Sequence, residues 1–308
     1  MVPGVLCDSV ANVRTHPFAG VAGDLRDASQ IEGDTMFDKI QHIGYLVGDL
    51  DAAIAWFEKG FGGKQAGGGP VGSTWIVPGG GRNAFVHFGQ VEVEIIEPQD
   101  RGGIPAGTLV MHHVGYVVPD IGEARSRLEA RGFKFASESP FTNILEQQVL
   151  YFDAATTNGL LLHLTQLPER PNDIGVGEGV PIERIVHAGY LLANLEGAIA
   201  WYVDKFDGVH IGGRSTPMGG RNAFVNFGQV QVELIETEDT SHLSPEGYAM
   251  DHVGYVVSDI AAGITDCLSR GLRFVSDSPR TNPIGQTLLY FDTDTTMGAR
   301  MHLTQLPD

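Results

Sequence analysis

The alternation of apolar and polar residues cuts the chain into short strands separated by amphipathic helices. Residues 40–47 are rich in β-branched and aromatic side chains and read as a strand. Asp49 then offers a helix N-cap, and residues 52–61 carry apolar positions at helical spacing until Gly60 and Gly62 end the run. The glycine-rich stretch 67–72 predicts a loop, and strands are expected at 73–77, 84–88 and 91–97. The unit is strand, helix, three strands. A second unit opens at 113–118, with a helix at 122–131 and strands at 133–136, 148–152 and 160–165.

The programme then repeats, and a repeat decides the fold before any single element does. MHHVGYVVPDI at 111–121 returns as MDHVGYVVSDI at 250–260, with weaker copies QHIGYLVGDL at 41–50 and VHAGYLLANL at 186–195. GGRNAFVHFGQVEVEIIE at 80–97 returns as GGRNAFVNFGQVQVELIE at 219–236, and the stretch 150–168 returns at 289–307. Between the copies, QLPERPNDIGVGEGVP at 166–181 has the Pro, Gly and charge content of a linker. The expected organisation is a flexible leader at 1–36 that matches nothing later, a module at 37–167, a linker at 168–181 and a second module at 182–308. Met36 is an alternative start.

Composition narrows the partners. The chain has 308 residues, 42% of them hydrophobic, and 38 acidic against 20 basic residues give a net charge of −18. Such acidity disfavours nucleic acid and anionic membrane surfaces. Cys7 and Cys267 stand in unrelated contexts and suggest neither a disulfide framework nor a thiolate metal site. No apolar run reaches the ~18 residues of a membrane span, and no signal peptide is recognisable, so a cytoplasmic location is expected.

In a strand one face collects alternate residues, so one histidine per strand can point into a common cavity. The inward set in the first module is His42, Glu94, His113 and His163; in the second it is His187, Glu233, His252 and His302. From each glutamate the next two spacings are 19 and 50 residues in both copies. Only the first spacing differs, 52 against 46, which puts six extra residues in the first module's glycine-rich region. Three neutral imidazoles and a carboxylate suit a divalent first-row metal such as Zn, Fe, Mn, Co or Ni. His87 becomes Asn226 in the other copy and serves as a control position outside the set.

HIGYLVGDLDAAIAWF at 42–57, VEIIEP at 93–98, HHVGYVVPDI at 112–121 and GLLLHLTQLP at 159–168, with their second copies, make the chain resemble the vicinal oxygen chelate superfamily, the glyoxalase I and methylmalonyl-CoA epimerase group. The resemblance implies an α+β fold of paired βαβββ units forming open β-barrels, here as two tandem modules. It also implies a metal held by the first and last strands of each pair of units, which are the positions already counted. In that group the last position is a glutamate able to act as base; here His163 and His302 stand there. The site would then carry a charge of about +1 and be the stronger Lewis acid. The base would fall to the histidine itself, to Glu97 or Glu236, or to metal-bound hydroxide. Whether half-units pair within a module or across modules stays open at this level.

Other polar residues recur. Arg82 and Asn83 return as Arg221 and Asn222, and Thr142, Asn143 and Gln147 as Thr281, Asn282 and Gln286. The first four are candidate substrate contacts, the arginines for a carboxylate or phosphate; all are also ordinary turn formers. Tyr45, Tyr116, Tyr190 and Tyr255 alternate away from the histidines and are expected in core, as are Trp56 and Trp201. The leading functional expectation is a metal-dependent isomerase, epimerase or lyase acting on a small oxygenated substrate, with a homodimer as the expected assembly. An Fe(II) ring-cleaving dioxygenase and a non-catalytic resistance-type binding protein are the alternatives, and a closed structural zinc site is a third.

Overall fold

A computed structural model describes residues 36–70, 80–169, 179–215, 220–241, 243 and 247–307. The leader up to residue 35, the strand expected at 73–77, Cys7 and most of the linker lie outside the described residues. In the first half the elements are β1 (Lys39–Val47), α1 (Leu50–Phe61), β2 (Lys64–Pro70), β3 (Gly81–Phe88), β4 (Val91–Pro98), β5 (Leu109–Val117), α2 (Ile121–Glu129), β6 (Phe141–Thr142), β7 (Gln148–Tyr151) and β8 (Leu162–Gln166). The second half repeats them as β9 (Ile182–Leu192), α3 (Leu195–Phe206), β10 (Val209–Ser215), β11 (Arg221–Phe227), β12 (Val230–Glu236), β13 (Tyr248–Val257), α4 (Ile260–Ser269), β14 (Arg280–Thr281), β15 (Thr287–Tyr290) and β16 (Arg300–Gln305).

Each half forms one curled eight-stranded sheet, and with the four helices the two sheets make tandem α+β modules. The strand order is β2-β3-β4-β1-β5-β8-β7-β6, repeated as β10-β11-β12-β9-β13-β16-β15-β14. Half-units therefore pair within a module, through the antiparallel β1–β5 and β9–β13 ladders. The first and last strands of each half-unit lie side by side and parallel at the centre of the sheet, β1 with β4 and β5 with β8.

An Asp or Asn after each repeated strand caps the helix that follows. Asp49 accepts from the Ala52 amide at 3.0 Å, Asp120 from Glu123 at 2.8 Å, Asn194 from Gly197 at 3.0 Å and Asp259 from Ala261 at 2.9 Å. Gly62 closes α1 in the left-handed region at φ 70°, which only glycine adopts freely.

Two sequence expectations change. The glycine-rich stretch begins as strand β2, not loop. As an edge strand it pairs only with β3, and its glycines show no alternation to read; a Cβ on Gly68 would lie 2.7 Å from the Asn83 carbonyl oxygen. The strand expected at 133–136 is reduced to a single bridge between Phe135 and Phe152.

The core is one continuous cluster across both modules. Phe61 of α1 reaches Tyr255 and Phe291 of the second module at 6.1 and 5.8 Å between ring centroids, and Trp56 Nε1 donates to the Thr295 carbonyl at 2.9 Å. Reciprocally, Trp201 and Phe206 of α3 meet Phe133 of the first module at 5.9 and 5.0 Å. The four repeated tyrosines are fully buried in this core, where the Tyr116 and Tyr190 hydroxyls lie 3.2 Å apart. Among the described residues no helix is long and apolar enough to cross a membrane.

Candidate metal centre

The central strands β4, β1, β5 and β8 are consecutive neighbours, and each sends one donor-type side chain to the same side. His42 Nε2 lies 3.1 Å from His113 Nε2 and 3.1 Å from His163 Nε2. Glu94 Oε2 lies 3.2 Å from His113 Nε2 and 3.8 Å from His42 Nε2. All four side chains are buried. The second module repeats the cluster. His187 Nε2 lies 3.1 Å from His252 Nε2 and 3.2 Å from His302 Nε2, and Glu233 Oε2 lies 3.1 Å from His252 Nε2.

The glycine two residues after each repeated histidine has a physical cause. Gly44 faces His113 across the β1–β5 ladder, and a Cβ there would sit 2.0 Å from His113 Cε1. Gly115 stands to His163 in the same way at 2.3 Å, Gly189 to His252 at 2.2 Å and Gly254 to His302 at 2.6 Å. Each glycine leaves the floor on which the neighbouring strand's imidazole lies. The His-x-Gly-Tyr pattern thus encodes a donor, the seat for the next donor, and a core residue.

The ring nitrogens facing away from the cluster are also engaged. His42 Nδ1 donates to Glu92 Oε1 at 2.9 Å, and Glu92 is held by His87 at 2.9 Å and Gln147 at 3.0 Å. His113 Nδ1 meets His112 Nδ1 at 3.0 Å, and His163 Nδ1 meets Thr165 Oγ1 at 3.1 Å. In the second module His187 Nδ1 meets Gln231 Oε1 at 3.2 Å, His252 Nδ1 meets Asp251 Oδ2 at 2.8 Å and His302 Nδ1 meets Thr304 Oγ1 at 2.8 Å. Partners of this kind fix ring orientation and, for a ring that binds a cation through Nε2, place the proton on Nδ1.

Burial, and then the neighbouring imidazoles, hold His113, His163 and His302 well below the usual histidine range, so these rings are neutral at pH 7. Burial acts to raise Glu92, but hydrogen bonds from His42 and His87 outweigh it and hold the carboxyl at about 2. For His252 burial acts downward, yet Asp251 and Glu233 lift it to about 9. Where the clustered nitrogens carry lone pairs they repel, unless a proton or a metal cation stands among them. Two metal–nitrogen bonds of ~2.1 Å at about a right angle span an edge close to the observed nitrogen separations. The imidazoles could therefore hold a divalent metal, His42, His113 and His163 in one module and His187, His252 and His302 in the other, with Glu94 and Glu233 lying beside them.

The other sequence candidates are placed differently. Asn83 Nδ2 donates to Glu94 Oε1 at 2.6 Å and Asn222 Nδ2 to Glu233 Oε1 at 2.7 Å, which leaves Oε2 of each carboxylate facing the imidazoles. Arg82 and Glu97 are not brought into the cluster. Glu97 is an odd number of residues from Glu94, so it faces the helix side of β4. There Arg82 Nε donates to it at 3.0 Å, Arg101 also pairs with it, and Arg82 lies 3.5 Å from Asp51 of α1. Arg221 repeats this with Glu236 at 2.9 Å and Glu196 at 2.8 Å. Asn143 and Asn282 tie the turns that present Gln147 and Gln286 to Glu92 and Gln231.

His87 is no bystander, because it pins Glu92. The signal for this was a coupled change. His87 and Glu92 face each other in the β3–β4 register, and both become amides together, as Asn226 and Gln231. The anionic partner has moved in the second module to Asp251, which Arg300 holds. Glu92→Gln is expected to weaken first-module metal binding by about 10-fold, and Asp251→Asn second-module binding by about 10–100-fold, each leaving the other module unchanged. Competitive titration with a chromogenic chelator measures both.

A family model described as the glyoxalase/bleomycin resistance protein/dioxygenase superfamily matches residues 41–151 and 186–291, more than half of the chain. The chain belongs to this superfamily. Among curated proteins, an ethylmalonyl-CoA/methylmalonyl-CoA epimerase from Cereibacter sphaeroides is 29% identical over 140 residues, covering 43% of this chain and all of the epimerase. Among solved structures, a triple mutant of 4-hydroxymandelate synthase from Streptomyces coelicolor superposes with a TM-score of 0.65 at 13% identity, covering 87% of this chain and 92% of that one. A Mn(II)-bound glyoxalase from Novosphingobium aromaticivorans gives a TM-score of 0.58 at 16% identity, over 88% and 83%. Members of the superfamily with these names are enzymes of several reaction types on one fold, and the likeness of the two structures is one of fold.

Proposed function

We propose that the chain is a metal-dependent enzyme of isomerase, epimerase or lyase type that polarises a small oxygenated substrate. The observation that supports it is the placement of the donors. Glu233 of the second cluster lines a cavity of about 750 Å³ whose wall includes Phe224, Leu288 and Tyr290. A structural zinc site would close over its ion, whereas here Glu233, beside the second triad, borders a space of substrate size. When bound, a divalent cation would supply Lewis acidity to substrate oxygens.

The chain's own residues do the rest. Asn222 turns one carboxylate oxygen of Glu233 away, and Asp251, Gln231 and Thr304 hold the three rings. The apolar wall of the cavity keeps bulk water from a substrate lying against the cluster. Among the described residues no second carboxylate reaches the clustered Nε2 atoms, although Glu236, paired with Arg221, also lines the cavity.

Elemental analysis of protein purified without added metal should find up to two divalent ions per chain, and a chelator should abolish turnover of a 2-oxo or 2-hydroxy acid. Metal-free protein with chelator-indifferent activity overturns the proposal. Turnover should consume no oxygen; stoichiometric uptake with an aromatic diol would transfer the assignment to a dioxygenase.

A further inference from the structure

The two clusters match donor for donor, but the surfaces above them do not. In the first module Phe141 stacks on Tyr151, with ring centroids 6.5 Å apart and planes 5° from parallel. Tyr151 in turn lies 4.7 Å from the His163 ring. In the second module Tyr290 keeps its place, 4.7 Å from the His302 ring. Its cover has changed. Arg280 replaces Phe141 and Arg300 replaces Leu161, and their guanidinium carbons lie 5.6 and 5.9 Å from the Tyr290 ring centroid. Both arginines line the cavity that reaches Glu233.

The two cations are not equivalent. Arg300 is committed to Asp251, which orients His252. Arg280 has no carboxylate partner among the described residues, and its one recorded contact is the aromatic face of Tyr290. That face holds a guanidinium without using its hydrogen-bond donors. Of the other acids that line the wall, Glu236 is paired with Arg221, Asp239 accepts from the Ser241 amide at 3.0 Å, and Glu238 is exposed. A planar fork of unused donors, one aromatic ring away from a metal-type cluster, matches a carboxylate at the far end of a short substrate.

We propose that the second-module site selects a substrate bearing a carboxylate distal to its metal-facing oxygens, with Arg280 as the anchor, and that the first-module site, with Phe141 at that position, lacks this preference. The inference rests on the metal-dependent reading above and names its substrate class for the second module.

The test is calorimetric titration of the full-length, metal-loaded protein with 2-oxoglutarate and with 2-oxopentanoate, which lacks the distal carboxylate. Arg280→Phe should weaken 2-oxoglutarate binding about 10–100-fold and leave 2-oxopentanoate unchanged. Arg280→Lys should recover only part of the loss. Phe141→Arg in the Arg280→Phe background should restore 2-oxoglutarate binding at the first module. Residue 280 is exposed on a two-residue strand and residue 141 half-buried on its counterpart, so folding is not at stake in either change. Full metal occupancy with 2-oxoglutarate binding indifferent to Arg280→Phe, or with both probes weakened equally, overturns this inference alone. Absence of metal from both modules overturns the underlying reading and this inference with it.

Discussion

Gly44→Ala is expected to empty the first-module metal site while the second stays loaded. The new Cβ would fall 2.0 Å from His113 Cε1 and 2.2 Å from His113 Nδ1, so the imidazole must leave its seat. The ring is fully buried between strands and has nowhere to go without moving β5. Overpacking of this kind costs about 1–3 kcal/mol in stability. The loss of a donor follows from the same displacement, so metal content should fall from two ions to one per chain. Two other glycines serve as controls. A Cβ on Gly69 of β2 meets only Ile144 Cδ1 at 3.9 Å, and Gly69→Ala should leave both sites intact. Gly60 lies inside α1, where a Cβ would reach Leu272 at an ordinary 3.5 Å, and Gly60→Ala should stabilise the protein by about 0.5–1 kcal/mol. Metal analysis with thermal unfolding of each variant checks the set. Full occupancy in Gly44→Ala would show that His113 is no donor.

His163→Ala and His302→Ala should each lower metal affinity at their own module by more than about 100-fold, since a donor weighs more than the partner that orients it. Metal-stabilised unfolding temperatures should fall accordingly, with metal-free wild-type protein as the reference for the cavity left behind. Glutamate at the same positions should behave differently. It returns a donor, lowers the charge of the site by one and so reduces the polarisation of bound substrate. His163→Glu and His302→Glu are therefore expected to keep their metal, to lose native turnover and to gain proton exchange next to a carbonyl, read as deuterium wash-in. Alanine variants with full occupancy and full activity would remove these histidines from the donor set.

The clustered histidines were legible because His42, His113, His187 and His252 sit on a strand pattern that appears four times, and His163 and His302 on one that appears twice, so periodicity and repetition pointed to the same side chains. Their partners were less legible for a physical reason. Glu92 acts on His42 and His87 because β4 lies between β1 and β3 in a definite register, and register is a property of paired strands, not of one. Only the coupled loss of His87 and Glu92 in the second copy hinted at it. The parity of Glu94 and Glu97 along one strand, by contrast, already separates them onto opposite faces, and with Glu97 goes Arg82. β2 escaped notice because glycines at a sheet edge have no side chains to alternate.

The reciprocal seating of α1 on the second module and α3 on the first has a further consequence. Each module covers the other's aromatic face, so a one-module protein with this surface would need a second copy of itself to stay dry. Such a pair would be symmetric, and symmetry forces its two cavities to be identical. Joining the copies in one chain keeps the mutual cover and lifts that constraint: every position is now encoded twice and can change once. The arginine at 280 in the place of a phenylalanine at 141 is a difference that a symmetric pair of identical copies could not hold.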